Sequence, residues 1–177
     1  MSPHDVRIRP AVEADWPALW PLWHAVVAAG DTYPYDPDTT HEAGKARWLA
    51  PPPHETWVAE LPRPDAEGDQ MVGTYQLRPN QPHLGDHVAN AGFMVAPAAR
   101  GHGIGRALGR HCLARAAEVG YRAMQFNLVV ATNTASIALW RSLGFTRIGT
   151  VPKAFRHLTL GDVDAHILHR FLTDLPD

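Results

Sequence analysis

Between residues 16 and 27, large apolar side chains recur every three or four positions, the spacing that places them on one face of a helix. Asp15 is expected to cap the start of this helix, and Gly30 is expected to end it. Pro21 costs a backbone hydrogen bond inside a helix, so we expect a kink or a late start there. The apolar face is expected to lie in the core and is formed by Trp16, Trp20, Trp23 and Val27.

The same kind of pattern predicts ten further elements along the chain. Three of them are helices, because their apolar residues return at helical spacing, and they cover residues 40–49, 104–119 and 134–143. Seven are strands, since they are short apolar runs bounded by turn-forming residues, and they cover residues 6–9, 56–61, 71–77, 87–95, 123–130, 146–151 and 164–170. The predicted order is β, α, α, β, β, β, α, β, α, β, β.

The composition is typical of a folded globular protein, with 45% hydrophobic and 19% charged residues among 177. This length predicts a single domain over residues 1–177. Cys112 is the one cysteine and cannot form an internal disulfide, and the histidines lack the spacing of metal ligands, so we expect no metal. The N-terminal residues show no apolar run of a signal peptide or a membrane span, and we expect a cytoplasmic protein.

The charges are unevenly distributed, although the net charge is only -2. Residues 1–86 carry 13 acidic and 6 basic side chains, and residues 162–177 carry 4 acidic and 1 basic. Residues 87–161 carry 9 basic side chains and a single carboxylate, Glu118. This basic middle segment indicates an anionic ligand. The acidic flanks and the lack of a basic, aromatic strand argue against a nucleic-acid partner.

A glycine-rich loop, residues 96–105, stands between a predicted strand and a predicted helix inside this basic segment. Three glycines at alternate positions permit close backbone approach, and the N-terminus of the following helix aims unpaired N–H groups at one point. These features are typical of a phosphate site. A P-loop is excluded because no Gly-Lys-Ser or Gly-Lys-Thr triplet exists. The dinucleotide fingerprint also fails, since its third glycine would fall at Arg106 or Leu108.

What remains is Arg100-x-x-Gly103-x-Gly105, and the stretch 95–108 around it resembles the acetyl-CoA-binding motif of the GNAT N-acetyltransferases. A second stretch, which begins at Asn133 and ends at Gly144-Phe145, resembles the helix that follows in that family. The predicted element order also matches the family's fold over nearly the whole chain.

The resemblance implies an α+β fold with a mixed, mostly antiparallel sheet of about seven strands and about four helices. Its fourth and fifth strands would splay apart to hold the pantetheine arm of acetyl-CoA. Met94 and Val95 would offer backbone groups to the pantetheine and to the acetyl carbonyl, and Asn133 would contact the cofactor. The pyrophosphate would be cradled by Arg100, Gly101, His102, Gly103, Ile104, Gly105 and Arg106.

The reaction implied is the direct attack of a neutral amine on the thioester, and the leading expectation is a small-molecule primary amine as acceptor. The proton-transfer residues are open. The family often places Tyr where this chain has Trp140, and an indole N–H is too weak an acid to replace a phenol, so water or Ser136 stands in. Candidates for the base are Asn90 on the fourth strand, Glu60, Asp86, His87, His157 or an ordered water.

The resemblance points to two loops as the acceptor side. Tyr33 and Tyr35, with Asp31 and Asp36, could receive a cationic amine, and Phe155, Arg156 and His157 could close the other side. Arg78 and Arg156 would instead suit a substrate carboxylate, as in an amino acid, so these residues leave the substrate undecided.

Two alternatives stay open within the same resemblance. The acceptor could be a protein or peptide amine, or the chain could be a CoA-binding sensor without catalytic activity. An apolar edge at the late strands could also pair two copies of the chain into a homodimer. No membrane partner is expected.

Overall fold

The computed structural model describes residues 6–63 and 68–173, which form one seven-stranded sheet in the order β1-β2-β3-β4-β5-β7-β6. The strands are β1 (Arg7–Pro10), β2 (Glu55–Leu61), β3 (Gln70–Pro79), β4 (Val88–Val95), β5 (Ala123–Val130), β6 (Thr146–His157) and β7 (Gly161–Phe171). The helices are α1 (Trp16–Ala28), α2 (His41–Trp48), α3 (Ile104–Glu118) and α4 (Thr134–Ser142). The predicted α+β architecture and the order of its elements are confirmed.

Every strand pair is antiparallel except β4 with β5. These two parallel strands pair only at Val88 with Ala123 and at Ala89 with Met124. Beyond those positions they diverge, so a gap opens in the middle of the sheet.

The two faces of the sheet are covered by different helices. On one face, α1 and α2 bury the tryptophans of α1 together with Trp48 and Val58. On the other face, α3 and α4 pack over a larger core that includes Ala59 and Leu108. Val58 and Ala59 are neighbours in β2, and successive side chains of a strand point to opposite faces. Of the residues predicted for the core face of α1, Trp16, Trp23 and Val27 are buried and Trp20 is partly buried.

Two expectations for α1 are wrong, the late start and the cap. The helix starts at Trp16 and continues through Pro21, which is exposed, so water can bind the carbonyl that loses its helical partner. Asp15 precedes the helix but does not cap it. Its carboxylate instead accepts a hydrogen bond from Val12 N at 2.7 Å and forms an ion pair with Arg9.

The last two strands are longer than the predicted 146–151 and 164–170. The first of them continues past Pro152 because a bulge takes up the extra residues: Val151 pairs with Ala165, and Phe155 with Val163. Lys153 lies in this bulge with a φ of 51°. The hairpin therefore extends to residues 157–161, where its tip reaches the gap between β4 and β5.

No helix in the described ranges is long and apolar enough to cross a membrane.

Gly44 of α2 packs directly against the tryptophans of α1. A Cβ atom there would lie 2.8 Å from Cζ3 of Trp20 and 3.1 Å from Cζ3 of Trp23. We expect Gly44→Val to lower the free energy of unfolding by about 2 to 3 kcal/mol, because the added carbon atoms meet tryptophan rings that already pack against one another. Chemical denaturation followed by tryptophan fluorescence measures this.

The matched control is Ala43→Val, which adds a β-branched side chain at an exposed position of the same helix. It should cost less than about 1 kcal/mol, since only helix propensity changes. Equal losses in the two variants would show that the tryptophan packing does not constrain this position.

Candidate functional site

A large cavity lies where β4 and β5 separate. Its volume is about 1190 Å³. Its walls come from the glycine-rich loop before α3, the start of α4, the segment between α1 and α2, and the tip of the β6–β7 hairpin. The gap in the sheet and these four segments together form an elongated cleft that can hold an extended ligand.

The edge of β4 that faces this cavity carries backbone groups without strand partners. Ala96 N donates a hydrogen bond to Val72 O of β3 at 2.9 Å, and alternate residues of a strand point the same way. The backbone groups of Met94 therefore face β3, whereas those of Phe93 and Val95 face the gap. Of the predicted pair, Val95 presents its N–H to the cavity and Met94 contributes only its buried side chain.

The glycine-rich loop adopts the conformation that its glycines permit. Gly101 and Gly103 both have a φ of 81°, in the left-handed region that other residues rarely adopt. Gly103 is the N-cap of α3, so the unpaired N–H groups of the first helical turn start at this point. A Cβ on Gly105 would lie 3.2 Å from Leu139 of α4, so glycine also lets the two helices approach.

Most of the predicted phosphate-binding residues line the cavity. Arg100 and Arg106 are exposed and form no ion pair among the described residues, which leaves their guanidinium groups available to an anion. His102 is the exception: it lies outside the cavity, and its Nδ1 is 3.0 Å from Arg100 O. Its position in the middle of the motif gave no indication that its side chain would turn away.

The start of α4 forms the opposite wall. Asn133 caps this helix, because its Oδ1 accepts a hydrogen bond from Ser136 N at 3.1 Å. Ser136 and Trp140 also line the cavity. Trp140 is 6% exposed and packs with ring-centroid distances of 4.6 Å to Phe93 and 4.8 Å to Phe126. Trp140 is thus both a core residue and part of the cavity wall.

The candidate bases fall in different places. Asn90 is 8% exposed and lines the cavity, and its side-chain amide forms no hydrogen bond within the described ranges. Glu60 lies outside the cavity, where Arg9 holds its carboxylate with bonds of 2.5 and 3.1 Å. The sequence could not reveal this partner, which is 51 residues away, and the ion pair outside the cavity argues against Glu60 as the base. Asp86 and His87 are exposed outside the cavity as well.

Tyr33 and Tyr35 form an aromatic wall at the other end of the cavity. Tyr33 Oη donates a hydrogen bond to Phe93 O at 3.0 Å, and the two tyrosine rings lie 5.4 Å apart. Burial raises the pKa of Tyr33 well above its usual value and also raises the pKa of Tyr35. Both phenols therefore remain protonated at neutral pH, and Tyr33 stays a donor to β4.

The segment that carries these tyrosines is fastened to the β6–β7 hairpin. Leu158 N donates a hydrogen bond to Gly30 O at 3.1 Å, and His157 at the hairpin tip lines the cavity. Phe155, predicted beside it, is buried in the hairpin at 4% exposure and does not reach the cavity. Arg156 also lies outside it and is 3.8 Å from Asp162.

This end of the cavity also contains polar residues that the sequence alone did not bring together. Asp31 Oδ1 and Thr32 Oγ1 are buried without a hydrogen-bond partner, and both residues line the cavity. Arg47 of α2 and Arg78 of β3 line it too. No local motif marks Thr32 or Arg47, because the contacts that assemble this end join segments far apart in the chain.

The chain resembles known proteins over most of its length. Residues 17–145 match the model of the acetyltransferase (GNAT) family. N-acetyltransferase aca1 from Schizosaccharomyces pombe is 41% identical over 110 residues, which cover 60% of this chain and 52% of that protein. The chain thus spans about half the length of this curated relative.

Solved structures are similar over nearly the whole chain. A GCN5-related N-acetyltransferase from Kribbella flavida has a TM-score of 0.88 and 48% identity, covering 96% of this chain and 99% of its own. A ribosomal-protein-alanine N-acetyltransferase from Brucella melitensis has a TM-score of 0.79 and 30% identity, covering 93% and 99%. A phosphinothricin acetyltransferase from Sinorhizobium meliloti, solved in complex with acetyl-CoA, has a TM-score of 0.82 at 22% identity, covering 98% and 94%.

Proposed function

Because the chain belongs to the acetyltransferase (GNAT) family and is an acyltransferase, we propose that it transfers the acetyl group of acetyl-CoA to a primary amine of a small molecule. The observation that carries the proposal is the cavity at the split between β4 and β5, which extends from the glycine-rich loop to a polar end lined by Asp31, Arg47 and Arg78. The proposal treats residues 1–177 as one catalytic domain.

The residues along the cavity fit acetyl-CoA. Arg100, Arg106 and the N-terminus of α3 meet at the glycine-rich loop, and this positive end suits a pyrophosphate. The backbone edge of β4 would bond the amide groups of the pantetheine, as a neighbouring strand would. This arrangement supports a bound acetyl-CoA with its thioester near Val95.

When bound, acetyl-CoA supplies an activated acetyl group to the amine in a ternary complex. Val95 N–H faces the gap and would donate a hydrogen bond to the oxygen that becomes negative during attack. The cleft brings amine and thioester together, and this proximity supplies much of the acceleration. Asn90, with its free amide, would hold an ordered water that takes the proton from the amine. Ser136 would donate a hydrogen bond to the departing sulfur, and Trp140 would shield it.

A small acceptor is favoured over a protein because two chain segments are tied together beside the acceptor end, which is the end of the cavity lined by Tyr33, Tyr35 and His157. The bond between Leu158 N and Gly30 O joins the two segments that flank this end, which narrows access for a folded polypeptide. The alternative, a protein or peptide amine, rests on the likeness to the Brucella melitensis enzyme, whose name specifies a protein alanine. A CoA-binding sensor is the remaining alternative.

A screen of acetyl-CoA turnover, followed by thiol release, tests the proposal. Amino acids, polyamines, aminoglycosides and peptides are offered in separate reactions, and binding of acetyl-CoA is measured in parallel by calorimetry. We expect thiol release with at least one class of small amine and a mass increase of one acetyl group on that amine. Acetylation of peptides alone, or binding without thiol release from any amine, would overturn the proposal.

A further inference from the structure

Two buried oxygen atoms at the acceptor end have no partner. Asp31 Oδ1 and Thr32 Oγ1 are shielded from solvent and form no hydrogen bond with any described residue. A buried acceptor without a donor is costly, and native structures rarely leave one unexplained. Both residues line the cavity, so their side chains lie next to the space that a ligand would occupy. An amino group, with several N–H donors, fits a carboxylate and a hydroxyl side by side.

Two arginines line the same end without a carboxylate partner. Arg47 lies with its Cζ atom 4.7 Å from the ring centre of Tyr35, and the charges of Arg78 and Arg47 both act on the Tyr35 phenol. Neither arginine forms an ion pair within residues 6–63 and 68–173. Arg9, by contrast, pairs with the two carboxylates of Asp15 and Glu60.

The position of Arg78 relates it to the proposed chemistry. Arg78 is the register partner of Asn90 across β3 and β4, and both residues line the cavity. An anion bound by Arg78 would therefore sit beside the residue proposed to hold the water. Guanidinium groups bind carboxylates and phosphonates through paired hydrogen bonds, which fixes both position and orientation.

We propose, on the basis of the proposed function, that the acceptor is an amine that also carries an anionic group, as an α-amino acid does. Asp31 and Thr32 receive its amino group, and Arg78, assisted by Arg47, receives its carboxylate or phosphonate. The opposite charges at this end disfavour simple amines and polyamines, because these would leave the two arginines unpaired beside further positive charge.

Matched pairs of acceptors test the proposal with the wild-type protein. Each common amino acid is compared with the amine that remains after removal of its carboxylate, for instance leucine with 3-methylbutylamine, by thiol release from acetyl-CoA. We expect the better amino acids to exceed their decarboxylated partners in kcat/KM by about tenfold to a hundredfold, since each charge-assisted bond is worth one to two factors of ten. The 1-aminophosphonate analogue distinguishes the two anions.

Variants identify the residues responsible. Arg78→Gln should raise KM for the amino acid by about tenfold or more and leave the decarboxylated amine unaffected. Asp31→Asn should raise KM for both acceptors, because the attraction to the amino group is lost. Arg156→Gln is the matched control: it removes an arginine near the hairpin tip that pairs with Asp162 outside the cavity, and it should change neither value.

The outcomes separate this proposal from the proposed function. Equal kcat/KM for amino acids and decarboxylated amines, or equal effects of Arg78→Gln on both, would overturn the amino-acid proposal and leave the acetyltransferase activity intact. Acetyl-CoA binding without turnover of any acceptor would instead overturn the proposed function.

Discussion

Replacing Gly103 by Asp should weaken the binding of acetyl-CoA by more than about a hundredfold, because a negative charge opposite a bound phosphate costs several kcal/mol. Gly103 is the N-cap of α3 and has a φ of 81°, so a side chain there stands at the positive end of the helix and beside the cavity. Isothermal titration calorimetry with acetyl-CoA and with CoA measures the affinity.

Two further variants separate charge from strain. Gly103→Asn has nearly the same shape as Gly103→Asp without the charge, so it should retain affinity to within about tenfold. Gly120→Asp also places Asp at a glycine of positive φ, 96°, but at the far end of α3 and outside the cavity, and its affinity should equal that of the wild type. If Gly103→Asp bound acetyl-CoA as tightly as Gly120→Asp, the loop would not be the phosphate site.

The elements of the fold were predictable because each carries its own local pattern. The spacing of the tryptophans in α1 and the run 123–130 in β5 depend only on nearby residues, and both elements lie where they were expected. The errors arose where distant residues decide the outcome. Arg9 takes the Asp15 side chain that was expected to cap α1. The pairing with β7 carries β6 past Pro152, a residue that by itself favours an end.

The cofactor side of the site was predictable for the same reason, since the glycine-rich loop is contiguous and its conformation follows from glycines at fixed spacing. The acceptor side was only partly predictable. It is assembled from the α1–α2 segment, α2, β3 and the β6–β7 hairpin, so its residues become neighbours only after the sheet has formed. The charges of Asp31 and Arg78 indicate binding residues, but no sequence pattern relates the two residues to each other or to Arg47.

Most of the basic side chains in residues 87–161 lie away from the cavity. Of the 9 basic residues in 87–161, only Arg100 and Arg106 line the cavity. Arg115 forms an ion pair with Glu55 of β2 instead, with Nε 2.9 Å from Oε2. The segment did point toward an anion site, but the site's own contribution comes from two arginines and the N-terminus of α3.

Replacing Val95 by Pro should lower kcat/KM for acetyl transfer by about a hundredfold to a thousandfold, the range found when one oxyanion donor is removed. The change removes one N–H, and the alternation of β4 directs that N–H into the gap between β4 and β5 and away from β3. The β3–β4 ladder therefore loses no hydrogen bond, and proline is tolerated where a strand's N–H has no strand partner. Steady-state kinetics by thiol release, with circular dichroism and thermal unfolding of the same samples, measures the effect.

The matched control is Val95→Ala, which shortens the side chain but keeps the N–H. It should stay within about tenfold of the wild type in kcat/KM, because a partly exposed side chain contributes packing and no donor. The two variants are compared as folded proteins, and we expect Val95→Pro to unfold at the same midpoint temperature as the wild type. If that folded variant turned over acetyl-CoA as fast as Val95→Ala, the negative charge would have to be stabilised elsewhere, and Phe93 N–H, the other β4 donor facing the gap near this point, would be the next one to remove.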